Sequence, residues 1–222
     1  MKASILPATA ALLTLALGLA APFAEAASAA GAVVKLVGRA SAATPDGDIR
    51  ALAEQGKVNA GDTVVTGANS FVRLQLADGG FILLRPNTRF VIEDYQYAEN
   101  APEAGRSLFS LLKGGFRAVT GAIGKRNQAN VSFRTAVATI GIRGTDLEVL
   151  DCSLGCPEID VDAPPALYFK VHDGGIDVNG QGFQQNQGGF MPPGGDPVPL
   201  DFNSPQNPLN TDPTPSADPA GC

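Results

Sequence analysis

Short alternations of apolar and polar residues, each cut off by a turn cluster, constrain this chain more than any other feature. Val72-Arg73-Leu74-Gln75-Leu76 alternates with a period of two, so an extended strand there has one apolar and one polar face. Asp78-Gly79-Gly80 then supplies a turn, Phe81-Ile82-Leu83-Leu84 begins the next strand, and Pro86-Asn87 turns again into Phe90-Val91-Ile92. With Gly67-Ala68-Asn69, these clusters sit about ten residues apart, the spacing of stacked short strands. Further strands are expected at Leu108 to Leu112, Phe116 to Val119, Val131 to Val137, Leu147 to Leu150, Tyr168 to Val171 and Ile176 to Val178. Helical periodicity is confined to the N-terminus, so the body is expected to be all-β. Turn spacing alone does not separate sandwich, barrel and solenoid.

The N-terminus carries a different signal. Lys2 is the only charge before Glu25, Ala10 to Ala21 is an apolar run, and Ala24-Glu25-Ala26 places small residues at both positions a signal peptidase reads. Residues 1–26 therefore read as a secretory signal peptide cleaved near Ala26, with the mature chain starting near Ala27 in the periplasm or outside the cell. The apolar run is too short for a permanent span, and no later stretch of about 18 apolar residues follows, so no transmembrane segment is expected. The net charge of −6 and pI near 4.7 argue against bulk nucleic-acid binding, which needs a basic surface. At 44% hydrophobic the chain is not disordered throughout. After Lys170 there is no Lys or Arg, and from Gly194 the chain is rich in Pro, Asn, Asp and Ser. Residues 194–222 are expected to form a disordered acidic tail, following a β domain at 27–193.

Several motifs, in order, resemble the FecR domain family. They are Gly31-Ala32-Val33 with Leu36-Val37-Gly38, Gly61 to Gly67 (GDTVVTG), Val72-Arg73-Leu74 with Asp78-Gly79, and Leu83 to Thr88 (LLRPNT). Leu111 to Gly115 (LLKGG), Thr135 to Leu147 (TAVATIGIRGTDL) and Tyr168 to Val178 (YFKVHDGGIDV) complete the series. The resemblance covers roughly residues 31 to 193. It implies an all-β domain built as a short β-solenoid or β-roll outside the cytoplasmic membrane. The family's regulators relay a signal from an outer-membrane transporter to a sigma factor, using a cytoplasmic anti-sigma segment and a transmembrane helix. Neither is expected here, so the expectation is a stand-alone exported FecR-like protein.

The candidate functional residues are few. In Gly141-Ile142-Arg143-Gly144-Thr145 two glycines flank Arg143, suiting a sharp corner between strands, with Arg143 free to pair with a carboxylate such as Asp146 or to cap carbonyls. Cys152 and Cys156, in an exported chain, are expected to form a small disulfide loop, since nothing nearby would lower a thiol pKa for redox work. Cys222 is left over and is a possible link between two chains. Asp151, Glu158, Asp160 and Asp162 read as a solvated acidic loop rather than a calcium site, because no EF-hand or calcium nonapeptide is present. No metal and no cofactor are expected.

Between Ala104 and Thr145 the charges are all basic: Arg106, Lys113, Arg117, Lys125, Arg126, Arg134 and Arg143. Stacked strands would line several of them into a positive stripe for an anionic polysaccharide or an acidic protein; otherwise they are ordinary solvent-facing charges. Gly121 to Arg126 is no phosphate loop, because the first glycine is misplaced and no Ser or Thr follows the Lys. His172 is the single histidine and sits beside Asp173-Gly174-Gly175, where a surface turn rather than a catalytic role is expected. The function expected is therefore non-enzymatic: a binding, signalling or assembly module with an envelope protein as partner. The alternative is a structural envelope protein that holds anionic polysaccharide through the basic stripe.

Overall fold

A computed structural model describes residues 29–156 and 163–210. The expected signal peptide, the Glu158-Asp160-Asp162 acidic run and Cys222 lie outside the described residues.

The chain is predominantly β. Its first strands are β1 (Ala29–Val37), β2 (Ala40–Ala43), β3 (Ile49–Ala51), β4 (Lys57–Asn59) and β5 (Thr63–Thr66). The alternating segments follow as β6 (Phe71–Leu76), β7 (Phe81–Leu84) and β8 (Arg89–Gln96). Then come β9 (Arg106–Val119), the short helix α1 (Ala122–Arg126) and β10 (Val131–Arg134). The last strands are β11 (Thr139–Asp151), β12 (Leu167–Val178), β13 (Gln181–Gln184), β14 (Gly188–Met191) and β15 (Val198–Leu200). The period-two reading holds in β6, where Val72, Leu74 and Leu76 are buried.

All the strands join one continuous sheet, whose main path runs β15-β14-β12-β11-β10-β9-β7-β6-β1-β4. Among the described strands only β9 and β10 pair in parallel; every other pairing is antiparallel. A solenoid stacks its coils in parallel, so the strand directions give the solenoid form of the expectation no support.

The long strands bend sharply. Phe90 of β8, Phe109 and Phe116 of β9 and Phe133 of β10 close a ring of aromatic contacts at the centre of the core. Centroids are 5.6 Å apart for Phe90–Phe109, 5.4 Å for Phe90–Phe116, 5.1 Å for Phe109–Phe133 and 4.8 Å for Phe116–Phe133. Seven residues of straight strand would hold Phe109 and Phe116 roughly 23 Å apart. The strand therefore folds over between them, and Gly114 makes the fold with φ +82°. Its first half pairs with β8 and β10, its second with β7 and β11.

The same device recurs at Gly144 in β11 (φ +67°) and Gly174 in β12 (φ +72°). These two glycines abut: a Cβ on Gly174 would lie 2.0 Å from the Gly144 carbonyl oxygen. Gly174→Ala is therefore expected to cost roughly 2–3 kcal/mol, combining left-handed strain with overlap against β11 backbone. A thermal or urea melt reads this directly, and an unchanged midpoint would refute the close packing.

Three expectations need correction here. Asp173-Gly174-Gly175 is not a turn between two strands but a bend inside one, because β12 keeps pairing with β11 on either side of it. The corner at Gly141 to Thr145 is likewise a bulge within β11, with positive φ at Gly144 and not at Gly141. Residues 194–210, expected to begin the disordered tail, carry β15 and a 3₁₀ turn at Pro208–Asn210, with Asn207, Pro208 and Leu209 buried. Residues 211–222 lie outside the described residues. No helix among those described is long and apolar enough to cross a membrane.

Candidate functional site

The sheet's two faces differ in chemistry. Phe116, Val149 and Phe169 face the main core from adjacent strands. Their neighbours along each strand point the other way, and there Arg117, Glu148 and Lys170 stand directly opposite one another across β9, β11 and β12. Most of this outward face is nonetheless dry: Glu148 is 7% exposed, Lys170 5% and Arg85, which follows β7, 2%, while Arg117 is half-buried.

The cover comes from two places. Cys152 and Cys156 form the expected disulfide, with Cα atoms 5.0 Å apart. Leu150, Cys152, Ala166, Tyr168 and Leu209 make a second, smaller core, against which Cys156, Phe190 and Leu200 pack. The C-terminal segment is thus clamped over the outer face. Lys170 Nζ donates to Asn210 Oδ1 at 2.6 Å and lies 3.9 Å above the Phe202 ring. Asn210 Nδ2 donates back to the carbonyls of Phe202 and Ser204, closing the loop on itself.

Glu148 is the hub of the charges. Its Oε2 meets His172 Nε2 at 2.9 Å, and its Oε1 meets Arg85 Nη2 at 3.5 Å. Burial pushes its carboxyl up, but the His172 hydrogen bond and the charges of Arg85, His172 and Arg117 outweigh that and hold it below the usual range. Burial likewise pulls the Lys170 ammonium down, with Glu148 opposing and Arg85 and Arg117 adding to the fall. Among the described residues the His172 ring bonds to Glu148 alone. The cluster has a base beside a carboxylate but no hydroxyl or thiol hydrogen-bonded to that base, which a nucleophilic dyad would require.

Beside this cover lies a groove of about 770 Å³ between the turn at 68–71, the Gly114 bend and the disulfide loop. Leu112, 53% exposed, and Leu154, fully exposed at the loop's tip, stand on its rim with Lys113 and Asp151. The disulfide closes five residues into a rigid tab that presents Leu154 to solvent.

The expected basic stripe is only partly assembled. Arg106 pairs with Asp94, and Arg117 grips Asp146 with both Nε (2.8 Å) and Nη2 (2.7 Å). That bidentate bond holds the Arg117 guanidinium pKa above its usual value. Asp146 is therefore taken, and the pairing of Arg143 with Asp146 is corrected: Arg143 is exposed, its backbone N–H bound to Thr145 Oγ1. Lys113 stands opposite Arg89 across β8 and β9, Lys125 and Arg126 occupy the last turn of α1, and Arg134 ends β10, all exposed. His172 is half-buried in β12, not on a surface turn.

The row Arg85-Glu148-Lys170 escaped the sequence reading. Its only signal is polar residues at period two in Leu147 to Leu150 and Phe169 to His172, which reads as an ordinary solvent face unless the covering segment is known to be folded.

With this geometry in view, residues 62–156 match the family model described as FecR protein. The match agrees with the resemblance carried by the motifs, over a narrower span than 31 to 193. Two crystal structures of a protein from Parabacteroides distasonis, described as a "putative anti-sigma factor", are also similar, each at 14% identity. Their TM-scores are 0.45 and 0.44, each covering 64% of this chain and 61% of the other. The chain thus spans about three-fifths of the length of these structures. No curated protein matches the chain.

Proposed function

We propose that the chain is an exported FecR-type protein whose work is binding: a non-enzymatic signalling or assembly module of the cell envelope that docks a protein segment. The signal peptide at 1–26 would deliver it to the periplasm or beyond, and N-terminal sequencing of exported protein should begin near Ala27. We read the sheet, folded over at Gly114, Gly144 and Gly174, as the roll that the family resemblance implies.

The observation that carries the reading is the groove with Leu112 and Leu154 on its rim. Exposed apolar side chains on a rigid rim contribute binding energy when a partner desolvates them, and the disulfide-closed tab keeps the ordering cost of doing so low. Lys113 at the same rim favours a partner segment with a carboxylate beside its apolar anchor.

Crosslinking of the mature protein in envelope extract tests this. One discrete envelope protein is expected, captured in a salt-insensitive manner, and lost at least tenfold on Leu112→Asp with Leu154→Asp while the melting temperature holds. Capture unaffected by the double substitution refutes the docking role of the groove. Retention on acidic polysaccharide alone, abolished by salt, would instead support a structural envelope protein acting through Lys113, Arg89 and the other exposed cations.

A further inference from the structure

A second concavity, lined in part by the C-terminal segment, has the opposite chemistry from the docking groove. It measures about 670 Å³, within the range of about 300–1,000 Å³ typical of small-ligand sites. The turn after β13 contributes Asn186 and Gln187, β13 itself contributes Gln181, and the segment after β15 contributes Asp201, Phe202 and Asn203. No Lys or Arg lines it. Lys170 is held beneath Phe202 by Asn210 and stands opposite Glu148 across the sheet.

We propose that this cleft is a binding site for a neutral glycan, a chain of uncharged sugar rings. Each sugar hydroxyl is both donor and acceptor, and the side-chain amide is the protein group that offers both functions from one rigid plane. Three such amides, on Gln181, Asn186 and Asn203, make no hydrogen bond to other described residues and are available at the cleft. The walls are set rather than loose. Gln187 Oε1 accepts from the Gln184 N–H at 2.7 Å, leaving its amide nitrogen to donate, and Asp201 Oδ1 accepts from the Asn203 N–H at 2.8 Å. Phe202 supplies a half-buried apolar surface at the same wall, suited to the C–H face of a sugar ring.

An anionic ligand is disfavoured, because the one charge on the lining is the Asp201 carboxylate and no cation answers it.

The chain has no Trp, so binding is read by mobility rather than by indole fluorescence. Mature protein is run through native gels containing soluble glucan, mannan, galactan or, as an anionic comparison, alginate. Retardation is expected in at least one neutral gel. It should fall at least tenfold in apparent affinity for Gln181→Ala with Asn203→Ala, and be unchanged for Leu112→Asp with Leu154→Asp, which touches only the docking groove. Of the first variant's two residues Asn203 is exposed and Gln181 half-buried, and a melt identical to the parent's confirms that it folds. Free migration in all three neutral gels overturns the proposal, as does retardation that survives the first variant or that occurs in alginate alone. Because the groove variant reports on protein docking and the amide variant on glycan, failure of one reading leaves the other measurable.

Discussion

Phe116→Ala is expected to lower the unfolding free energy by about 3–5 kcal/mol, the usual cost of emptying a phenylalanine site in a core. Phe116 is fully buried and touches both Phe90 and Phe133. It also sits just past the bend at Gly114, where little slack exists: a Cβ on Gly114 would lie 2.7 Å from Thr88 Cα, and one on Gly115 would lie 2.6 Å from the Val149 carbonyl oxygen. The backbone therefore cannot collapse into the vacancy, which places the cost toward the upper end. Urea unfolding should show a lower midpoint with an unchanged slope. Leu112→Ala, on the same strand but more than half exposed, should shift stability by no more than about 0.5 kcal/mol. A Phe116→Ala loss below about 1 kcal/mol would mean that the aromatic ring does not hold the two halves of β9 together.

Glu148→Ala is the second large effect, also about 3–5 kcal/mol, but by another route. Removing one partner of a buried ion pair leaves the remaining charges desolvated without that counter-charge. Here Arg85 and Lys170 would stay buried while losing the carboxylate that faces them, and His172 would lose its ring partner. The pH dependence distinguishes this from a packing loss. The Glu148 carboxyl lies below its ordinary value of 4.5 in the folded chain, so the folded state binds fewer protons than the unfolded one between the two values. Its contribution is complete above the unfolded value and disappears as pH falls through the folded one. The gap between parent and Glu148→Gln should therefore shrink as pH falls below about 4.5. A gap that is flat with pH would show that the carboxylate's charge is not what stabilises the row.

The sequence carried the strands well and their continuity poorly. The buried positions of β6 follow from its alternation and flanking turns, whereas β7 is an unbroken apolar run buried at three consecutive positions. By contrast, Gly114-Gly115 and Asp173-Gly174-Gly175 look like turns in any local window, since glycine at positive φ serves a hairpin and a mid-strand bend equally well. Only the cross-strand partners distinguish the two uses, and those lie at distant positions along the chain. The charged row was hidden for a related reason. Lys170 and Glu148 read as solvent-facing because the residues that cover them, Phe202, Leu209 and Asn210, belong to a stretch whose Pro and Asn content resembles a tail. Composition measures how much apolar surface a segment has, whereas Leu209 shows that one well-placed side chain is enough to seat it. The disulfide and the basic residues were visible as residues, but which cations already hold carboxylates, as Arg106 and Arg117 do, depends on strand register.

The clamp of Asn210 and Phe202 upon Lys170 also sets an order of events. The chain emerges from synthesis N-terminus first, so β9, β11 and β12 are complete before the residues that seal their outer face arrive. Until then Glu148 and Lys170 remain hydrated, and the desolvation of the whole row is deferred to a single late closure. That closure can reopen without dismantling the aromatic core, because the second core shares no buried residue with the first. Two layers of cooperativity are therefore expected in hydrogen exchange: an inner one that opens only globally, and an outer one whose amides exchange whenever the last ten residues of the clamp lift.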